Sequence, residues 1–174
     1  AYNGDDSAPG WTSVDGGASA GINHDPSQPV NYTYYATNAL AAFNNRLYAT
    51  WTETNGSTYQ LRVAMYDPAN PGWVFVDGNG TTGLNHDPSY SAYLPSLIVS
   101  GSTLNVVWLE INISDNQQVR AARYNGNDLS PSWTSIDGGG ADGINYSAAK
   151  NATMLSAASF NGRLVAAWDE NAEV

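Results

Sequence analysis

Short stretches in which apolar and polar residues alternate recur along this chain. The clearest is the segment 103–111, TLNVVWLEI, whose alternate residues define the two faces of a strand. The first face carries Leu104, Val106, Trp108 and Glu110, and the second carries Asn105, Val107, Leu109 and Ile111. Both faces bear apolar side chains, which is typical of a strand in a sheet that packs between two neighbouring sheets.

Other strand-like segments surround this one. Segment 96–101 precedes it, and segments 118–126 and 132–139 follow it, with turns rich in Gly, Pro and Asn between them. No window shows a convincing helical period. The pattern therefore predicts an all-β protein built from units of four short strands, which we name A to D in chain order.

These strands belong to a sequence repeat with a period of about 60 residues. Three similar phrases, WTSVDGG, WVFVDGN and WTSIDGG, begin at Trp11, Trp73 and Trp133, and each is followed by Gly-aliphatic-Asn, which ends at Asn23, Asn85 and Asn145. A second marker, Trp-x-Glu, occurs at Trp51 and Glu53, Trp108 and Glu110, and Trp168 and Glu170. Such a period in strand-like units is typical of a stacked array, most often a propeller.

The markers also predict where each unit begins and ends. Residues 1–20 would hold the last strand of a preceding blade, residues 21–80 and 81–140 two full blades, and residues 141–174 a partial blade. We expect one β-propeller array with about 2.75 four-stranded blades in this chain. So few blades cannot close a ring, and open sheet edges are unfavourable, so other copies or a longer parent chain would complete it.

Composition indicates a folded protein and narrows its partners. The 174 residues are 42% hydrophobic and 13% charged, a balance that disordered chains do not have. The net charge is −10 with only 6 Lys and Arg, so we expect no nucleic-acid partner. No apolar run is long enough to insert into a membrane, and the first residues lack the basic and apolar run of a signal peptide.

Cysteine is absent, which excludes disulfides, thiol catalysis and cysteine-ligated zinc. The acidic charge, the few lysines and the abundance of Asn, Ser, Thr and Gly favour a secreted or cell-surface protein. The 6 Trp and 11 Tyr suit surfaces that are both apolar and hydrogen-bonding, including sugar-binding surfaces, although they also suit packing between sheets.

The combined phrases resemble the blade repeat of β-propellers in bacterial surface and secreted proteins. The first copies of the three matching phrases are residues 11–23, 45–53 and 60–66. The pattern is also loosely similar to tectonin-like lectins and bacterial fucose-binding propeller lectins, which bind sugars in clefts between blades. The resemblance implies a propeller fold and inter-blade sugar sites. Residues 146–148, Tyr-Ser-Ala, depart from the His-Asp-Pro of the other units, so a site built on that triplet would be altered or lost there.

Two kinds of loop carry candidate chemistry. The only histidines stand beside aspartates, at His24-Asp25 and His86-Asp87; these pairs could catalyse, bind a ligand by hydrogen bonds or form turns. Loops 77–80, Asp-Gly-Asn-Gly, and 137–140, Asp-Gly-Gly-Gly, place acidic or amide oxygens among glycine turns, which invites a calcium interpretation. Their spacing lacks the distal Glu of a calcium loop, so we expect Gly-rich turns without metal or other cofactor.

The repeated glutamates allow two interpretations. Glu53 and Glu110 share a strand face with the tryptophan two residues earlier, and Arg62 and Arg120 lie on the adjoining strand C. The carboxylates could pair with these arginines and tie strands or blades together, or they could accept hydrogen bonds from sugar hydroxyls in a cleft. One Glu per unit does not provide the two converging acids of a glycosidase.

These features favour a multivalent, lectin-like carbohydrate-binding propeller that is not an enzyme. The candidate stacking residues are Trp51, Trp108 and Trp168 or Trp11, Trp73 and Trp133, and the candidate polar contacts are Asn23, His24, Asp25, Asn85, His86, Asp87, Glu53 and Glu110. Expected partners are saccharides or glycoconjugates and further copies of the chain. The alternative is a structural or adhesive protein-binding scaffold. A hydrolase would require a deep central pocket with converging carboxylates.

Overall fold

A computed structural model describes residues 1–15, 21–30, 39–78 and 80–171. Within these ranges the chain is all-β, with ten strands and no helix, as the alternating pattern predicts. These described residues therefore contain no helix long and apolar enough to cross a membrane. Residues 16–20 of the first repeat phrase and Asn79 of the Gly-rich loop 77–80 lie outside the described ranges.

The strands form three antiparallel sheets in chain order. Sheet 1 contains β1 (Leu40–Phe43), β2 (Arg46–Thr54), β3 (Tyr59–Asp67) and β4 (Asn70–Phe75). Sheet 2 contains β5 (Ala92–Ser100), β6 (Thr103–Ile111), β7 (Gln117–Tyr124) and β8 (Trp133–Ser135). Sheet 3 contains β9 (Asn151–Phe160) and β10 (Arg163–Asn171). Within each sheet every strand pairs with the next one along the chain.

Sheet 2 packs between the other two sheets, which explains why β6 is apolar on both faces. Leu104, Val106 and Trp108 join a core that includes residues of sheet 1. Val107 and Leu109 join a second core that includes residues of sheet 3. The predicted strand faces are thus confirmed, and each fully buried aliphatic side chain contributes roughly 1.5–3 kcal/mol.

Tyrosine–tryptophan contacts recur at the end of strand C. The ring centroids of Tyr66 and Trp73 lie 5.6 Å apart, and those of Tyr124 and Trp133 lie 5.0 Å apart. Tyr2 pairs with Trp11 through an isolated antiparallel bridge, and their ring centroids are 5.3 Å apart. The first residues of the chain thus repeat the C–D contact of the two four-stranded sheets.

Indole hydrogen bonds join successive units. The Nε1 atom of Trp73 donates to the carbonyl oxygen of Val14 at 2.6 Å. The Nε1 atom of Trp133 donates to the carbonyl oxygen of Val76 at 2.8 Å, and Val14 and Val76 occupy the same position of the repeated phrase. These tryptophans therefore fix how each unit sits against the one before it.

Candidate functional site

Each Trp-x-Glu marker clamps a loop above its sheet. The Glu53 carboxylate accepts the backbone N–H groups of His24 at 2.8 Å and Asp25 at 2.6 Å, and the indole N–H of Trp51 at 3.1 Å. Because the carboxylate accepts three donors while it is buried, its charge is compensated by directed hydrogen bonds. We call this arrangement, one glutamate with one indole and two amide donors, the loop clamp.

The loop clamp recurs in the other two units. Glu110 accepts the N–H groups of His86, Asp87 and the Trp108 indole, all at 2.8 Å. Glu170 likewise accepts the amides of Tyr146 and Ser147 and the indole of Trp168. Burial raises the pKa of Glu110, whereas the hydrogen bond from the Trp168 indole does most to lower the pKa of Glu170.

The Gly-aliphatic-Asn phrase attaches the same loops to the preceding sheet. The Asn85 side chain accepts the Leu61 N–H at 2.8 Å and donates to the carbonyls of Tyr59 and Tyr90. Asn145 repeats this pattern on β7, where it accepts the N–H of Val119. For Asn23, the described contact is a 3.4 Å hydrogen bond to the carbonyl of Gln28. The repeated asparagines therefore hold the loops together.

A close backbone approach explains the glycine of that phrase. Gly83 has φ +55°, and a Cβ atom there would lie 2.3 Å from the carbonyl oxygen of Leu61. Gly143 has φ +58° and the same predicted clash with Val119. Only glycine combines this conformation with this approach.

The arginines of strand C form other ion pairs than the sequence suggests. Arg62 pairs with Asp77 at 3.4 Å and donates to the carbonyl of Gly80 at 2.6 Å. Arg120 pairs with Asp137 at 3.6 Å and donates to the carbonyls of Gly140 and Ala141. The expected Glu–Arg pair is replaced by an Arg–Asp pair that ties strand C to the following loop.

The loops that begin with Asp77 and Asp137 supply the carboxylates of these two ion pairs. The Asp137 side chain also accepts the hydroxyl of Ser135 and the N–H of Gly139, as expected for a Gly-rich turn. Desolvation opposes its ionisation, but these hydrogen bonds and Arg120 outweigh it and lower the pKa of Asp137. Among the described residues, no group of three or more His, Asp and Glu side chains is arranged to hold a metal ion.

Two cavities lie at equivalent places in sheets 1 and 2. The first has a volume of about 300 Å³ and the second about 210 Å³. Their matching lining residues, first cavity before second, are His24 and His86, Asp25 and Asp87, Glu53 and Glu110, Thr54 and Ile111, Asn55 and Asn112, Arg62 and Arg120, and Thr81 and Ala141. Each cavity is thus enclosed by its sheet and by the loops that precede and follow it.

The cavities contain part of the predicted site. His24, Asp25 and Glu53 come together in the first, and His86, Asp87 and Glu110 in the second. The His24 ring also contacts the Phe75 ring edge-on, with centroids 4.9 Å apart, while His86 is exposed. The Asp25 side chain accepts the N–H and hydroxyl of Ser27, which lowers the pKa of Asp25.

The six tryptophans lie elsewhere. None is among the described residues that line the two cavities. Trp108 is buried, with 2% of its surface exposed, whereas Trp11, near the start of the chain, is 80% exposed. Trp73 and Trp133 contact the preceding unit, and Trp51 and Trp168 belong to loop clamps.

Sequence reasoning missed several cavity residues. Asn55, Asn112, Tyr90 and Ile113 were not predicted. A signal for the two asparagines exists, because each follows its clamp glutamate by two residues, as in Glu-Thr-Asn and Glu-Ile-Asn. Tyr90 and Ile113 have no counterpart of the same type in the first unit, so the repeat does not point to them.

A larger cavity, of about 420 Å³, lies between sheets 2 and 3 and includes Thr103 and Asn105. The equivalent residues between sheets 1 and 2 are Arg46 and Tyr48, which both bond to Asp128 and fill that space. The larger cavity therefore follows from smaller side chains at one junction and is not a repeated site.

A comparison of the chain with protein-family models, with curated proteins and with solved structures gave no match in any of the three.

Proposed function

We propose that this protein is a multivalent carbohydrate-binding module and that the two equivalent cavities are its sugar sites. The observation that carries the proposal is the repetition of the cavities, with seven matching positions that pair His, Asp and Asn with a buried Glu and Arg. Small cavities with a few convergent polar groups are typical ligand sites. Repeated sites of modest affinity gain strength on multivalent surfaces such as glycans.

The contacts of the loop clamp support a binding role for the His-Asp pairs. Tyr146 and Ser147 donate the same two amides to Glu170 that His86 and Asp87 donate to Glu110. The clamp therefore does not require His at this position. In the proposed sites, His24 and His86 present ring nitrogens, and Asn55 and Asn112 present amides, to sugar hydroxyls.

The stacking role expected of the tryptophans passes to other residues in this proposal. Since no tryptophan lines a cavity, polar contacts carry the recognition in the first cavity, and Tyr90 adds an aromatic ring in the second. We propose binding without turnover, because each clamp glutamate already accepts three hydrogen bonds and the two glutamates serve separate cavities.

We further propose that the three sheets are consecutive blades of a propeller, secreted or at a cell surface, whose ring other blades complete. Trp11 is exposed, whereas Trp73 and Trp133 each donate to a preceding unit, so another blade before Trp11 would give it the same partner. Native mass spectrometry tests completion by further copies. A strictly monomeric chain at micromolar concentration would contradict self-association.

The test of sugar binding is a glycan array followed by amide NMR titration with each hit. We expect hits that shift the amides of His24, Asp25, His86 and Asp87, because these donate to the glutamates that line the cavities. An array without hits, on a sample whose spectrum is that of a folded protein, would contradict the proposal. It would favour the second candidate, a protein-binding scaffold, which is supported by the structural hydrogen bonds of Trp73, Trp133 and the three clamp tryptophans.

A further inference from the structure

The two cavities share their polar residues and differ at the rim. Ile111 and Ala141 of the second cavity stand where the first has Thr54 and Thr81. Tyr90 also lines the second cavity, and the equivalent position in the first unit is Gln28. The same polar groups are therefore accompanied by two threonines and Pro26 in one unit and by larger aliphatic and aromatic side chains in the other.

The turn between strands B and C strengthens this difference. It spans residues 55–58 in sheet 1 and residues 112–116 in sheet 2, one residue more. The longer turn carries Ile113, which lines the second cavity and is 83% exposed. An aliphatic side chain held in water at the mouth of a polar cavity gains stability when an apolar group of a ligand covers it.

We infer that the second cavity selects a saccharide that carries an apolar substituent, whereas the first cavity binds the sugar ring without such a preference. This inference rests on the proposed function. Tyr90, Ile111 and Ile113 would contact the substituent, while His86, Asp87 and Asn112 would contact the ring, as their counterparts would in the first cavity.

Paired glycosides test the inference. The probes are the methyl and 4-nitrophenyl glycosides of galactose, glucose, mannose and fucose, with 4-nitrophenol alone as a control. The amides of His24 and Asp25 report on the first cavity, and those of His86 and Asp87 report on the second. For a sugar that binds, we expect the nitrophenyl form to bind the second site roughly fivefold to tenfold more tightly than the methyl form. At the first site the two forms should bind equally.

A matched pair of variants locates the preference. Ile113→Ser should reduce the nitrophenyl preference of the second site, where Tyr90 and Ile111 remain, and should leave the binding of both glycosides at the first site unchanged. Leu129→Ser is the control, because Leu129 is also a highly exposed aliphatic residue but lines neither cavity. Ile113 is exposed, so its replacement should leave the fold intact.

The possible failures are distinct. If a glycoside binds both sites with the same nitrophenyl preference, or if Ile113→Ser changes nothing, the inference is wrong and the proposed function stands. If 4-nitrophenol alone binds the second site as tightly as the glycoside, the site is not a saccharide site and the inference is wrong. If no glycoside and no array hit shifts either set of amides, the proposed function fails and the inference fails with it.

Discussion

The loop that carries His86 and Asp87 and the loop that carries Tyr146 and Ser147 are held in the same way by different residues. Both donate two backbone amides to a clamp glutamate, and both begin with a glycine pressed against strand C. The fold thus specifies the glycine, the asparagine and the glutamate, and leaves the two clamped side chains variable. This comparison separates residues that build the loop from residues available to a ligand.

The largest effect on stability is expected at the glycine with which both loops begin. Gly83→Ala or Gly143→Ala would bring a Cβ atom to 2.3 Å from a strand C carbonyl oxygen, at a positive φ. We expect each to lower the free energy of unfolding by about 3 kcal/mol or more. Gly138→Ala is the control, because its φ is +87° but no atom lies within 4 Å, so it should cost only about 1 kcal/mol. Urea unfolding monitored by Trp fluorescence measures all three, and equal costs would contradict the packing argument.

The clamp glutamates should differ in their contribution to stability. Glu110 is 1% exposed and accepts three donors, so Glu110→Ala leaves buried N–H groups without an acceptor and should cost about 2–4 kcal/mol. Glu170→Ala should cost clearly less, because water reaches that clamp and replaces the lost acceptor. The two variants are compared by the same urea unfolding measurement, and a larger loss for Glu170→Ala would reverse the expected order.

Acidification should loosen one loop and not the other. The pKa of Glu170 lies below its ordinary value of 4.5, so its stabilising contribution is present above that value and is lost as the pH falls through the lowered pKa. Burial raises the pKa of Glu110, so on acidification the folded chain binds this proton at a higher pH than the unfolded chain does. The contribution of Glu110 to stability is therefore present at low pH and is lost as the pH rises through the raised pKa.

Amide hydrogen exchange, corrected for intrinsic rates, reports on both loops as the pH is lowered from about 7 to about 3. We expect protection of the Ser147 amide to decline at the acidic end and protection of the Asp87 amide to persist. If protection declines equally at both amides, the different surroundings of Glu110 and Glu170 do not determine how the two loops respond to pH.

The smallest effect on stability is expected from exchanging the variable residues themselves. The double substitution His86→Tyr and Asp87→Ser gives the second loop the residues of the third. It should change the free energy of unfolding by less than about 1 kcal/mol, since the amides that Glu110 accepts are retained. Glycan binding at the second cavity should fall at least about tenfold while binding at the first is unchanged, as measured by amide titration. Unchanged binding at the second cavity would exclude His86 and Asp87 from the site.

The sequence predicted the strands well because alternation and turn residues are local signals. β6 occupies the predicted segment 103–111, and its two faces meet the two predicted neighbours. The partners of the charged residues were not predictable, because they depend on register. Trp51 lies opposite Arg62 across the β2–β3 pair, which places Glu53 opposite Gln60 and sends the arginine to Asp77.

The cavities could not be predicted from the sequence for a related reason. Each is bounded by a sheet and by two loops from different units, and only the stacking of sheets brings these segments together. The repeat identified His24, Asp25, His86 and Asp87 as equivalent. It could not separate tryptophans that stack on a ligand from tryptophans that hold the array, since both recur with the same period.

The indole hydrogen bonds from Trp73 to Val14 and from Trp133 to Val76 run in one direction along the array. In both described bonds the later unit supplies the indole donor and the earlier unit supplies the carbonyl acceptor, so the contact between units has one direction. An in-frame duplication of about 60 residues would insert a unit whose indole N–H donates to the unit before it and whose carbonyl accepts from the unit after it. The length of the array could therefore change by whole units without a new kind of contact between them.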